Sequence, residues 1–151
     1  MSLLETAISL AVEKHRGQVD KSGEPYILHP LRVLMRVREL GGSEAAQCAA
    51  VLHDVAEDCN VSLDDLRAAG FTDDTLAAID AVTKRADEHG DAGYAAFVDR
   101  AAADPLARLV KIADLEDNMD PRRLCEISES TLRRMERYRL AWKRLTSSAA
   151  P

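Results

Sequence analysis

Apolar residues recur along this chain at steps of three and four, the period of a helix face. Leu4, Ala7, Ile8, Ala11 and His15 make the first such row, and Gly17 follows as a stop. The segment GQVDKSGEPYILHP has the Gly, Ser and Pro chemistry of an ordered loop. Pro30 suits the first position of a new helix, where its missing N–H has no partner to lose, and this puts His29 at or beside the N-cap. Leu31, Leu34, Val37 and Leu40 line that helix until Gly41 and Gly42 end it.

Ser43 caps the next helix, AAQCAAVLHDVAED, whose early residues are small or apolar on nearly every side, the mark of a helix buried all round. Ser62 and Asp65 form a capping-box pair for a short helix that stops at Gly70, and Thr72 or Asp73 starts another running toward Arg85. A polar break, ADEHGDAG, precedes a helix through Tyr94, Phe97 and Val98. Asp104 and Pro105 then give a cap and an N1 proline for PLARLVKIADLEDN. Leu132, Met135, Tyr138, Trp142 and Leu145 form a last stripe, expected to pack inward. The pattern predicts an all-α helical bundle in one domain over residues 1–151.

Composition agrees with that class. The chain is 46% hydrophobic but only 4% aromatic, so Ala, Leu and Val supply the packing. Cys48, Cys59 and Cys125 contain no C-x-x-C pair and cannot all pair with one another, which argues for a reduced, cytoplasmic setting. The N-terminal segment lacks the pattern of a signal peptide, and no apolar run is long enough to span a bilayer, so no membrane partner is expected. A net charge of −6 disfavours a nucleic acid duplex as partner and leaves room for a small anion at a local basic cluster. Oligomeric state is left open.

Two of the most apolar helices nevertheless carry ionisable groups where burial is expected, and such groups are costly in a core unless paired or metal-bound. His53 and Glu57 are four residues apart, as are Asp54 and Asp58; Lys111, Asp114 and Asn118 share a face of a later helix, with Asp117 alongside. If the faces meet, Asp54, Glu57, Asp58, Asp114 and Asp117 crowd together, and a divalent cation relieves their repulsion. Imidazole and carboxylate ligands with open positions suit Mn²⁺ or Fe²⁺ better than a closed structural zinc site. His15 is expected to be a buried, hydrogen-bonded histidine, and His89 a loop residue without a role.

The segments KSGEPYILHP, VLHDVAED, VTKR and LVKIADLEDNMD, in this order between Ala11 and Asp120, resemble the HD hydrolase domain of RelA/SpoT-type alarmone enzymes and their small stand-alone relatives. The resemblance implies an HD-domain helical bundle that holds Mn²⁺, or another divalent ion such as Fe²⁺, through His29, His53, Asp54 and Asp114. It implies (p)ppGpp 3′-pyrophosphohydrolase activity, in which metal-activated water releases pyrophosphate from the nucleotide's 3′-diphosphate. Glu57 and Asp58 then position the water and protonate the leaving 3′-oxygen, and Lys21, Ser22 and Asn118 bind the nucleotide. With no synthetase region following, hydrolysis alone is expected.

Three features depart from the family pattern. Asp20 stands where the family carries an Arg that packs against guanine, and ADLEDN replaces A-D-R-L-H-N, removing a base at Leu115 and placing acids at Glu116 and Asp117. These positions are expected in the pocket, so another phosphorylated nucleotide (a monophosphate or a 2′- or 3′-phosphorylated species) is the alternative substrate. A nucleotide-binding module without turnover is the non-enzymatic alternative, which the Glu57–Asp58 pair opposes.

Overall fold

A computed structural model describes residues 1–147, so the last four residues of the predicted 1–151 domain lie outside the described part. The helices are α1 (Leu3–Lys14), α2 (Leu28–Glu39), α3 (Glu44–Asp58), α4 (Leu63–Ala68), α5 (Asp73–Val82), α6 (Gly90–Ala103), α7 (Pro105–Asn118) and α8 (Glu129–Ser147), with a 3-10 turn at Pro121–Arg123. The predicted all-α architecture is the one observed. Among the described residues the only β-type pairing is a bridge between Val19 and Pro25 that closes the loop before α2. No described helix is long and apolar enough to cross a membrane.

Most helix starts follow from their caps. The Ser43 side chain accepts from Ala46 N, and Ser62 forms the expected box with Asp65. Thr72 caps α5, and Asp104 accepts from the backbone of Leu106 and Ala107 with Pro105 behind it. Each satisfies amide donors that the first helical turn leaves without partners.

Three predicted boundaries or faces shift. Helix α2 begins at Leu28, so His29 sits inside the first turn rather than at its cap. Leu28 N and His29 N donate to the carbonyls of Pro25 and Tyr26, tightening the chain into helical form early. Pro30 is tolerated at the third position because a first-turn N–H has no intrahelical acceptor. Helix α6 starts at Gly90, within the stretch read as a polar break, and His89 is its N-cap residue. Its first turn lies against Glu88 so closely that a Cβ on Gly93 would stand 2.4 Å from the Glu88 carbonyl carbon. Polar composition there reflects a solvated turn, and Gly93 permits the approach.

On α8, Ala141 and Leu145 face inward with Met135, Tyr138 and Trp142 half-buried, but Leu132 is 58% exposed. Thr131 is buried instead, its hydroxyl 3.0 Å from Ser128 Oγ, so the inward polar group is satisfied.

The core is formed mainly by α1, α2, α3, α5 and α7 around Val33, Val37, Val51, Leu52, Ile79 and Val110. A second apolar cluster joins Val98, Ile112, Leu115, Ala141 and Leu145, seating α6 and α8 on α7. Helices α2, α3 and α7 thereby meet along one line. Their inward faces carry the ionisable residues.

Candidate metal centre and adjoining pocket

Helix α2 brings His29, α3 brings His53 and Asp54, and α7 brings Asp114 to that line; all four are buried. One ligand atom each from His29, His53 and Asp114 lie within 4.8 Å of one another. Asp54 stands against both imidazoles, with Oδ2 3.5 Å from His29 Nε2 and Oδ1 3.2 Å from His53 Nε2. Asp114 Oδ1 is 3.1 Å from His29 Nε2 and 3.6 Å from His53 Nε2.

The outer nitrogens of both rings are committed elsewhere. His53 Nδ1 is 2.6 Å from the Ala50 carbonyl, an acceptor only, so Nδ1 carries a proton and donates. His29 Nδ1 donates to Asp117 Oδ2 at 2.6 Å. Both Nε2 atoms therefore face the carboxylates, and His53 Nε2, sealed from solvent, has no hydrogen-bond partner among the described residues. A buried orphan nitrogen aimed at two carboxylates fits a divalent cation, because metal-ligating histidines donate their other ring N–H to a carbonyl or carboxylate.

The electrostatics agree. Burial alone would lower the pKa of His53, yet the Asp54 and Asp114 carboxylates outweigh it and push the ring up to about 9. His29 shifts upward for the same kind of reason, against its burial and chiefly through Asp114 and Asp117. Burial would raise Asp114, but Lys111 and the two imidazoles hold its carboxyl well below the usual range. Without a metal, the carboxylates favour the protonated form of both imidazoles.

Around these groups are supports, of which sequence patterns singled out Lys111 and Asn118 but not Tyr26. Tyr26 OH donates to Asp54 Oδ2 at 2.7 Å, Lys111 Nζ to Asp114 Oδ2 at 2.9 Å, and Asn118 Nδ2 to Asp114 Oδ1 at 2.9 Å. Asp117, grouped from sequence with the crowded carboxylates, is instead compensated by Arg32 and Arg123. No local spacing announces those arginines, since Arg32 lies on another helix and Arg123 beyond the end of α7.

Beside His29 opens a cavity of about 310 Å³ whose lining includes Lys21, Ser22, Tyr26, Asn118, Arg123 and Tyr138. Lys21, Ser22 and Asn118 are brought together in its lining, next to the histidine–carboxylate group. Glu57 and Asp58 are exposed at the end of α3, and among the described residues they do not line this cavity. Partial burial, then the charges of Asp54 and Asp58, raise the pKa of Glu57; burial and Asp54 raise that of Asp58.

Residues 7–119 match the family model described as HD domain. The chain belongs to the HD domain family. This HD domain is 40% identical over 121 residues to the GTP pyrophosphokinase of Streptomyces coelicolor, covering 77% of this chain and 14% of that protein. It is 32% identical over 120 residues to the guanosine-3′,5′-bis(diphosphate) 3′-pyrophosphohydrolase of Aquifex aeolicus, covering 77% of this chain and 17% of that protein. The HD domain chain thus spans about one sixth of the length of these relatives. In fold it resembles the solved structure of a metazoan ortholog of SpoT that hydrolyzes ppGpp, with a TM-score of 0.83 and 23% identity over 99% of this chain and 89% of that one.

Against this family, the substituted segment ADLEDN takes on a different meaning from the one its sequence carried. Leu115 is fully buried in the α6–α7–α8 cluster, not in the pocket. Glu116 accepts from Arg36 Nε at 2.6 Å and Trp142 Nε1 at 3.0 Å, tying α2 and α8 to α7. Asp20 lines the cavity, where sequence placed it, but spends one oxygen on its own loop, accepting from Ser22 N at 2.8 Å and Glu24 N at 3.0 Å. Its other oxygen is 3.8 Å from Arg123 Nη2. His15 fits its expected part in half: Nδ1 is 2.8 Å from Gln18 Oε1, while Nε2 is buried without a partner among the described residues.

Proposed function

We propose that this HD domain is a divalent-metal-dependent phosphohydrolase that removes the 3′-diphosphate of (p)ppGpp as pyrophosphate. The observation that carries the reading is the buried His29–His53–Asp114 group, with both Nε2 atoms turned inward beside a cavity bearing Lys21, Ser22 and Asn118. Relatives named as 3′-pyrophosphohydrolases of guanosine-3′,5′-bis(diphosphate) support the choice of substrate.

His29, His53, Asp54 and Asp114 would hold the ion, Mn²⁺ in the first instance and Fe²⁺ as the alternative. When bound, such an ion acidifies water and polarises a phosphoryl oxygen. Lys21 meets the charge of the polyphosphate, and Ser22 and Asn118 supply hydrogen bonds to the nucleotide. Asn118, already bonded to Asp114, links nucleotide binding to the ligand set. Water adds to the phosphorus at the 3′-oxygen, the P–O3′ bond breaks, and the products are the 5′-diphosphate nucleotide (or its triphosphate) and pyrophosphate. Glu57 and Asp58, both with raised pKa, take the proton from water and return one to the departing 3′-oxygen. One domain over 1–151 and a cytoplasmic setting, consistent with free Cys48, Cys59 and Cys125, complete the reading.

The test is a turnover panel of (p)ppGpp, nucleoside monophosphates and NADPH with purified protein and Mn²⁺. Pyrophosphate from (p)ppGpp is expected. Orthophosphate from another compound, with none of the former, replaces the substrate while keeping the metal chemistry.

A further inference from the structure

Asp117 sits in the last turn of α7 and is bonded on three sides. Its Oδ2 accepts from His29 Nδ1 at 2.6 Å and Arg123 Nη1 at 2.8 Å, and its Oδ1 accepts from Arg32 Nε at 2.7 Å. Arg32 Nη2 adds a contact to Oδ2 at 3.2 Å, and Arg123 Nη1 also reaches the Asp117 carbonyl at 3.0 Å. The carboxylate thus has its lone pairs spoken for by two guanidiniums and one imidazole. Two fixed cations keep it from swinging inward to coordinate an ion itself.

The bond to His29 decides which ring nitrogen is free. A proton fixed on Nδ1 leaves the Nε2 lone pair facing Asp54 and Asp114, whereas a ring without that acceptor can take the other tautomer or turn about its Cβ–Cγ bond. Arg123 belongs to the 3-10 turn after α7, outside the residues matched by the family model, and it also lines the cavity. One carboxylate therefore joins a histidine of the cluster to the cavity wall.

We propose that Asp117 is a positioning residue: it holds His29 with Nε2 directed at the ion, and through Arg123 it fixes the adjoining wall in the same register. This rests on the metal reading above and is separable from the identity of the substrate.

The experiment measures Mn²⁺ affinity of metal-stripped protein by calorimetry for wild type, Asp117→Leu and Asp117→Asn. Both substitutions are near-isosteric and remove the negative charge that faces the arginines, but only Asn keeps an oxygen that can accept from His29 Nδ1. Asp117→Leu should lose about 10- to 100-fold in affinity with its helical circular dichroism intact, as for removal of partners behind metal ligands, and Asp117→Asn should recover most of it. Wild-type affinity in the Leu variant, or equal losses in the two, would overturn the proposal. Independently of any variant, imidazole ¹⁵N shifts of the Zn²⁺-loaded wild type should show His29 protonated at Nδ1 and ligated through Nε2; ligation through Nδ1 would overturn it as well. Wild-type protein that binds no Mn²⁺ would instead defeat the metal reading, and this inference with it.

Discussion

Lys111 Nζ donates to Asp114 Oδ2 at 2.9 Å inside the bundle, leaving Asp114 Oδ1 turned toward the two imidazoles. Both partners are buried, and the ammonium also lies 4.7 Å from the centre of the Phe97 ring. Breaking a buried pair by removing one partner typically costs about 3–5 kcal/mol, because the other charge is left uncompensated. Lys111→Met should show a loss below that size by urea unfolding in EDTA, because the two imidazoles and Asn118 still face Asp114, and a smaller one still in saturating Mn²⁺, where the ion takes over part of the compensation. The same deficit in both conditions would reduce Lys111 to packing.

Metal affinity should depend on pH in a defined direction. The His53 ring, pushed up to about 9 by Asp54 and Asp114 despite its burial, holds a proton at neutral pH in the metal-free protein, and His29 is shifted the same way. A divalent ion must displace those protons. Apparent Mn²⁺ affinity therefore rises with pH until His53 is deprotonated and falls on acidification, by about tenfold per pH unit for each proton displaced. Calorimetry in buffers of different ionisation heat counts the protons. A pH-independent affinity with no proton release would contradict the assignment of the imidazoles.

Asp20 lines the cavity, and a substitution separates a role toward the ligand from a role in its own loop. Read as a missing base contact, Asp20→Arg would improve (p)ppGpp binding. In the structure Asp20 closes its own loop through Ser22 N and Glu24 N and faces Arg123, and an arginine can do neither. Each such bond is worth about 1 kcal/mol, so the KM for ppGpp should rise several-fold to tens-fold. Asp20→Asn, which keeps an acceptor for both amides, should be milder. A lower KM in Asp20→Arg would show that this cavity-lining position contacts the nucleotide rather than bracing the loop.

Much of the fold was legible because caps are local. Ser43, Ser62, Thr72 and Asp104 each satisfy amides within three residues of themselves, and a single pass along the chain finds them. The four proposed ligands were legible in order, and the structure gathers them. What did not read out depends on partners far along the chain. Tyr26 with Asp54, Asp117 with Arg32 and Arg123, and Glu116 with Arg36 and Trp142 follow only from how α2, α7 and α8 pack. Leu115 looked like a lost pocket residue because the family pattern that its segment resembles carries a base there, next to Asp114. On a helix, adjacent residues point about 100° apart, and its direction is the core.

We propose that one metal centre built on His29, His53, Asp54 and Asp114 hydrolyses the 3′-diphosphate of (p)ppGpp. This is met most directly by chromatographic analysis of ppGpp incubated with metal-stripped protein, with and without Mn²⁺, alongside Asp54→Ala that retains its helical circular dichroism. The account predicts GDP and pyrophosphate in equal amounts from wild type with Mn²⁺, and neither product without the ion or from the variant. Undiminished turnover in Asp54→Ala, or intact ppGpp after incubation of Mn²⁺-loaded wild type, would contradict it.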